Sequence, residues 1–310
     1  MDTDAQTAEA LWEKRLVEES RLSLARWSRW YETPGVDRAL GIGTILGALL
    51  ALTGLRGRGE RNAAAVALRN RTFRFPNLPA AFDGFRILHL SDLHFGPHAA
   101  FGEQFYDVVG EVEVDLCVLT GDFHRRHLKT CDPTYQGMAR LVPAIRARQG
   151  IVGVLGNHDL SGFVEPFRDL GVRMLINESF EVRRDADSLW LMGVDDPHDF
   201  RCAGLDCALR GVPEGAFHIL LVHSPELVAE AERHRIDLYL CGHTHGGQVC
   251  LPGLGALSFN TRAARRYCRG AWRRGNLQGY TTLGVGATEA PVRFNCPPEA
   301  AVIELRKESR

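Results

Sequence analysis

The chain lacks several features that would settle its class early. Its eight cysteines contain no CxxC pair, so neither a zinc ribbon nor a thioredoxin-type redox motif is written into it. They are scattered, several of them inside apolar runs such as VDLCVL and LYLCG, which predicts reduced, mostly buried thiols in a cytoplasmic protein. Charge of one sign is also missing. The 37 Lys and Arg stand against 38 Asp and Glu, a net −1. No global basic field draws nucleic acid, no aromatic–basic platform for single strands is evident, and no nucleic-acid partner is expected. The first 30 residues are charged and helical in pattern, with neither a continuous apolar core nor a small-residue cleavage site, so no cleavable signal peptide is visible. What remains is ordinary globular composition, 45% hydrophobic and 24% charged over 310 residues, enough to bury a sizeable core.

Residues 5–31 carry Leu11, Trp12, Leu16, Leu22, Leu24 and Trp27 near helical spacing between charged residues, which predicts an amphipathic helix ended by Pro34-Gly35. An uncharged stretch of 17 residues with four glycines follows, Ala39 to Leu55. It stands at the lower limit of the roughly 17–25 residues a spanning helix needs. Three readings stay open: a buried core helix, an interfacial helix touching a membrane, and a short span. Arg56, Arg58, Arg61, Arg69, Arg71 and Arg74 come next with only Glu60 opposing. If the stretch spans, the positive-inside rule keeps the rest of the chain in the cytoplasm. The expected organisation is an N-terminal helical region over residues 1–70, membrane-associating if the apolar stretch touches or spans a membrane, and a main domain over 71–310, located in the cytoplasm or on the cytoplasmic face of the membrane.

Beyond residue 72 the pattern changes. FRILHLSD, VDLCVLTGD, GIVGVLGNHD, HILLVHSP and IDLYLCGHTH each hold consecutive apolar residues, as strands buried on both faces do. VRMLINE, SLWLMGVDD, QGYTTLGVG and AVIELR are further strand candidates, and 101–110, 134–148 and 225–235 have helical spacing. Alternating strands and helices predict an α/β layered domain.

Polar residues recur at the C-terminal ends of those strands: Asp92 and His94, Asp122, Asn157 with His158 and Asp159, His223, then His243 and His245. In open α/β sheets, sites assemble at that edge. Carboxylates, imidazoles and one amide oxygen, without thiolate, suit Mn, Fe, Zn or Mg. The donors are too many for one ion. Two divalent ions need a shared ligand, and a carboxylate such as Asp122 can bridge where an imidazole cannot.

DLH, GDF, GNHD, VHS and GHTH, in that order, resemble the five motifs of calcineurin-like metallophosphoesterases, over about residues 85–305. GHTHGGQ, with VDDP before and RFNCPPE after, is similar more narrowly to the bacterial YkuE/YaeI-like branch. The resemblance implies that 71–310 is a metallophosphoesterase domain, a two-sheet β-sandwich flanked by helices, here with an N-terminal helical extension. It implies a binuclear hydrolase of phosphoester bonds in which the ions activate water for attack on phosphorus. By motif position, Asp92, His94 and His245 would hold one ion, Asn157, His223 and His243 the other, and Asp122 both. His158 would stabilise the transition state or protonate the leaving group, with Asp159 orienting its ring. The alternative is a non-catalytic metal-binding scaffold for protein partners on the same fold.

Other residues are weighed beside these. His89 reads as a hydrogen-bonded core histidine. His124, Arg125, Arg126 and His127 read as a solvated loop or a cationic wall facing substrate phosphate, and His98 as a loop residue that substrate could touch. His198 reads as a surface residue, and His218 and His234 as structural or exposed. Gln248 reads as a support for the ligands. Arg293 and Asn295 either cap the site or brace the core. Arg262, Arg265, Arg266, Arg269, Arg273 and Arg274 form a basic segment, solvated by default or facing acidic headgroups. The motifs leave the substrate open between a lipid-linked or UDP-sugar diphosphate, as in UDP-diacylglucosamine hydrolases, and a small soluble diester. Metal identity and oligomeric state are not written in the pattern.

Overall fold

The computed structural model describes residues 7–32, 50, 52–96, 99–125, 130–256, 258–288 and 290–308. The expected amphipathic helix is present as Ala8–Glu32, and a second helix, Arg56–Ala64, precedes the first strand. The apolar stretch Ala39–Leu55 lies mostly outside the described residues, as do His98, Arg126 and His127. Among the described residues no helix is long and apolar enough to cross a membrane.

The strands, in chain order, are β1 (Ala67–Phe75), β2 (Arg86–Leu90), β3 (Glu113–Val114), β4 (Leu116–Thr120), β5 (Arg146–Ala147), β6 (Ile151–Val154), β7 (Val172–Met174), β8 (Glu178–Arg184), β9 (Asp187–Gly193), β10 (His218–Leu221), β11 (Leu238–Cys241), β12 (Cys250–Leu251), β13 (Gly255–Ala256), β14 (Gly270–Arg274), β15 (Leu277–Thr281) and β16 (Glu299–Lys307). Twelve of them form two six-stranded sheets, ordered β1-β16-β2-β4-β6-β7 and β14-β15-β11-β10-β9-β8. In the first sheet β2, β4, β6 and β7 run parallel, with β16 antiparallel to β2. The second is parallel from β9 through β10 and β11 to β15, and antiparallel at both edges.

Side-chain alternation builds the layers. On β2, Ile87 joins Val118, Val154, Leu191, Ile219 and Leu240 in the core between the sheets. Its neighbours Leu88 and Leu90 face outward, onto Phe105, Met138, Leu141 and Phe167. On the far side Leu220, Val222 and Tyr239 pack on Val228 and Ala231. The result is the α/β sandwich flanked by helices. All eight cysteines are free thiols, seven of them buried.

β1 differs from the expected organisation. It pairs in parallel with β16 over nine residues, so a boundary at residue 70/71 falls inside a strand. Its sequence, ALRNRTFRF, sets five consecutive exposed residues before its two buried ones. An edge strand carrying arginines resists pairing with other chains, and it hides from a search for apolar runs.

Candidate metal centre

The loops leaving β2, β4 and β6 of one sheet and β10 and β11 of the other meet at one rim. All seven expected ligand residues converge there and all are buried. Asp122 lies in the middle. Its Oδ2 is 3.2 Å from His223 Nε2, 3.6 Å from His94 Nε2 and 4.0 Å from His158 Nε2. On one side Asp92 Oδ1 is 3.5 Å from His245 Nε2, which is 3.1 Å from His94 Nε2. On the other, Asn157 Oδ1 is 3.1 Å from both His223 Nε2 and His243 Nδ1, and those two nitrogens are 3.2 Å apart. Donor atoms of Asp92, His94 and His245 lie close enough to hold one ion, as do those of Asp122, His223 and His243, and those of His94, Asp122 and His158.

The backbone is bent to reach this. Asp92, His94, Asp122, His243 and His245 all have positive φ, between 45° and 71°. Each such non-glycine residue costs on the order of 1–3 kcal/mol and persists only where surroundings enforce it. Two glycines let the loops close. A Cβ on Gly156 would overlap the Asp122 carboxylate, and one on Gly242 would overlap Ser91 and Asp92.

The remaining atoms of these side chains are held from behind. His94 Nδ1 donates to the His124 carbonyl (3.1 Å) and His223 Nδ1 to that of Thr120 (2.7 Å). His243 Nε2 donates to the Asn260 carbonyl at 2.9 Å. Asn157 Nδ2 donates to Asp199 Oδ2 at 3.0 Å, which turns its amide oxygen inward. Asp199 was missed in the sequence because nothing near VDDP marks it as the partner of an amide 42 residues away.

Burial and charge compete at every titrating group. Burial pushes the Asp92 carboxyl up. It would do the same at Asp122, but His158, His223 and His94 hold that carboxyl well below its ordinary range. Burial would lower His223, yet Asp122 and Asp92 raise it to about 10. His243 falls to about 3 and His245 falls well below its ordinary value, burial leading in both. The pull of two buried carboxylates on His223 shows that the centre of this site favours positive charge.

The other expected residues are placed as follows. His158 is only part-buried. It lines a cavity of about 150 Å³ with Asp122, His243, His245, Thr244 and Asn260. The contacts of the Asp159 carboxylate are with main-chain amides: Asp122 N (2.8 Å), Gly156 N (2.7 Å) and His124 N (3.0 Å). That makes it a clasp joining the loop after β4 to the loop after β6, where the sequence suggested an orienting partner for the His158 ring. His124 is neither solvated nor a wall for phosphate. It is buried, with Nδ1 2.8 Å from Thr134 Oγ1. His198 is a further correction: its ring centroid lies 4.3 Å from that of His243 and its Nδ1 is 2.7 Å from Glu226 Oε1. His89 is a core histidine bonded to Thr120 Oγ1. Gln248 ties the backbone of Thr288 and Ala290, and Asn295 donates to the Cys250 carbonyl. In the basic segment Arg262 pairs with Glu226 and Arg274 with Glu232, so part of its charge is neutralised internally.

The N-terminal helix also reaches the site, which no sequence signal announced. Arg15, fully buried, pairs with Asp195, lies over the Phe200 ring at 3.7 Å and donates to the Asp159 carbonyl at 2.8 Å. Glu19 accepts from Ser161 N at 2.8 Å.

A family model described as calcineurin-like phosphoesterase matches residues 85–247. The chain is 31% identical over 258 residues to the uncharacterized metallophosphoesterase YkuE of Bacillus subtilis, covering 78% of this chain and 86% of that one. It is 28% identical over 233 residues to the phosphodiesterase YaeI of Escherichia coli, covering 71% and 82%. A transmembrane protein with metallophosphoesterase domain from Danio rerio is 27% identical over 305 residues, covering 92% of this chain and 67% of that protein.

Proposed function

The chain belongs to the calcineurin-like phosphoesterases and is a phosphoester hydrolase. On that footing we propose that it cleaves phosphodiester or diphosphate bonds with two divalent ions, held by Asp92, His94 and His245 on one side and by Asn157, His223 and His243 on the other, with Asp122 shared. The observation that carries this is the position of Asp122 Oδ2, within 3.6 Å of an imidazole nitrogen from each of the two groups. The donor set fits cations. Ring nitrogens 3.1 and 3.2 Å apart repel unless a proton or a cation lies between them. Two such pairs beside two buried carboxylates offer oxygen and nitrogen donors to Mn, Fe, Zn or Mg.

When bound, such ions supply Lewis acidity and a water that ionises near neutral pH. The chain does the rest. His158, part-buried at the mouth of the cavity, faces the leaving oxygen and stabilises it or hands it a proton. Asp159 keeps the loops after β4 and β6 in register through their amides. The carbonyls of His124, Thr120 and Asn260 keep three imidazoles turned inward.

The substrate we favour is lipid-linked and met at a membrane surface. Leu52 is 84% exposed and Leu55 41%. The exposed Arg56 and Arg58 follow, an apolar tip with basic flanks such as binds anionic membranes. The helix they begin packs through Gly59 on Val292 and Phe294, behind the site.

The test is metal analysis with hydrolysis of a generic aryl phosphodiester in added Mn²⁺, followed by UDP-linked acylated sugars with and without anionic vesicles. Two equivalents of metal and hydrolysis that Asp122→Ala abolishes are expected. A folded protein that binds no divalent ion would overturn the reading. Equal rates with and without vesicles would remove the membrane component alone.

A further inference from the structure

A second cavity, of about 450 Å³, opens beside the side chains that would hold the ions. Lys14 and Glu18 of the N-terminal helix form one wall, and the 198–201 loop with Arg262 forms the other. One imidazole separates it from the metal cage. His198 lines the cavity, and its ring centroid lies 4.3 Å from that of His243. Asp199, on the same wall, accepts from Asn157 Nδ2 at 3.0 Å. A molecule reaching from the cage past His198 would enter this space.

The lining is polar. Phe200 is buried and Arg15 lies over its ring at 3.7 Å, so the wall offers neither a trough for an acyl chain nor a free stacking face. Charge then decides what the cavity takes. Both carboxylates in the wall are engaged, Asp199 by the Asn157 amide and Glu18 by Arg21 at 2.7 Å. Arg262 pairs with Glu226 Oε2 at 2.6 Å. Lys14 and Arg201 are left, and among the described residues neither forms an ion pair. The Lys14 ammonium donates to the Arg201 carbonyl at 2.5 Å. That contact ties the helix to the loop and uses one of three donors. Two unpaired cations lining one cavity repel, and an anion between them removes that cost. A guanidinium and an ammonium together suit the oxygens of a phosphate.

We propose that this cavity is a substrate subsite in which Lys14 and Arg201 bind an anionic phosphate or diphosphate group carried beyond the scissile ester. The enzyme then favours phosphoesters that bear a second phosphoryl anion over simple diesters. The subsite rests on the metal cage being the reacting end of the cleft. The acyl chains of a lipid-linked substrate would lie outside it.

Two measurements test this. Calorimetric titration of inorganic pyrophosphate into the metal-free full chain should show saturable binding. The Lys14→Gln/Arg201→Gln variant, its fold checked by circular dichroism, should bind at least tenfold more weakly. Arg201→Gln alone leaves the Lys14 hydrogen bond in place, since that bond goes to the main chain, and should show part of the loss. No saturable binding by wild type, or the same affinity in the folded variants, would overturn the proposal. In kinetics, the ratio of kcat/KM for a UDP-linked acylated sugar to that for an aryl phosphodiester should fall at least tenfold in the double variant, mainly through KM. Loss of pyrophosphate binding with that ratio unchanged would mean that the cavity holds an anion foreign to the substrate, and would also overturn it. If the wild type hydrolysed no phosphoester, the cage would lose its role as the reacting end, while the pyrophosphate titration would still decide whether the cavity binds an anion.

Discussion

His158 and Asn157 are adjacent in the chain, yet one faces the cavity and the other the cage, because the turn after β6 splits them. Their loss should therefore have different signatures. In His158→Ala we expect metal content to stay at the wild-type level while turnover falls by about 10²–10⁴, the usual contribution of a general acid. Metal analysis and kinetics on the same sample check it, and near-normal turnover with metal bound would remove His158 from the chemistry. The residues that converge at the rim were legible because each motif pairs a donor with a glycine or a second donor at fixed spacing. Asp159, His124 and His198 were misplaced for a common reason. A carboxylate or imidazole in a motif announces its chemistry, but whether it meets a ring, an amide or a hydroxyl is set by loops far away in the sequence, such as the Thr134 that receives His124.

Among the elements, the strands ending at the rim were legible as apolar runs, since β2, β4, β6, β10 and β11 are buried on nearly every residue. β1, β8 and β14 were not, because they form the sheet edges and expose much of their length. The turn after β11 shows how tightly an element is tuned to its cargo. Gly242→Ala would drive a methyl group into Ser91 and Asp92. We expect that variant to lose metal at temperatures where its fold survives, seen as reduced metal content before any change in circular dichroism. A second element-level device is the clasp between the 196–200 loop and the 260–262 segment. Burial alone would raise the Glu226 carboxyl. Hydrogen bonds from the His198 ring and from the backbone and guanidinium of Arg262 outweigh it and hold the group at about 2. A carboxyl depressed in the folded state stabilises it fully above its unfolded value, 4.5 here, and that contribution is lost as pH falls toward 2. Glu226→Gln should therefore be less stable than wild type at pH 7, with the gap in urea unfolding closing toward pH 3. A gap independent of pH would show that packing, not charge, holds the clasp.

For the molecule as a whole, the question is what ties the N-terminal helix to a site that begins more than 70 residues later. Its amphipathic spacing foretold a helix but not its seat, since a buried arginine on an apolar face looks in sequence like one more solvated charge. Arg15 joins the helix to Asp195, and through the Asp159 carbonyl to the clasp that aligns the loops of Asp122 and Asn157. Removing one partner of a buried ion pair costs about 3–5 kcal/mol, because the other charge is stranded. Asp195 already sits at about 6, raised by burial and only partly offset by Arg15. Arg15→Leu should lower stability by that order and also reduce turnover, because the Asp159 clasp loses its backing. Adding Asp195→Leu removes the stranded carboxylate, so the double variant should recover most of the stability and little of the turnover. Thermal melts and kinetics on the two variants separate the effects. If turnover returned together with stability, the helix would be a brace for the fold alone and not part of the alignment of the metal loops.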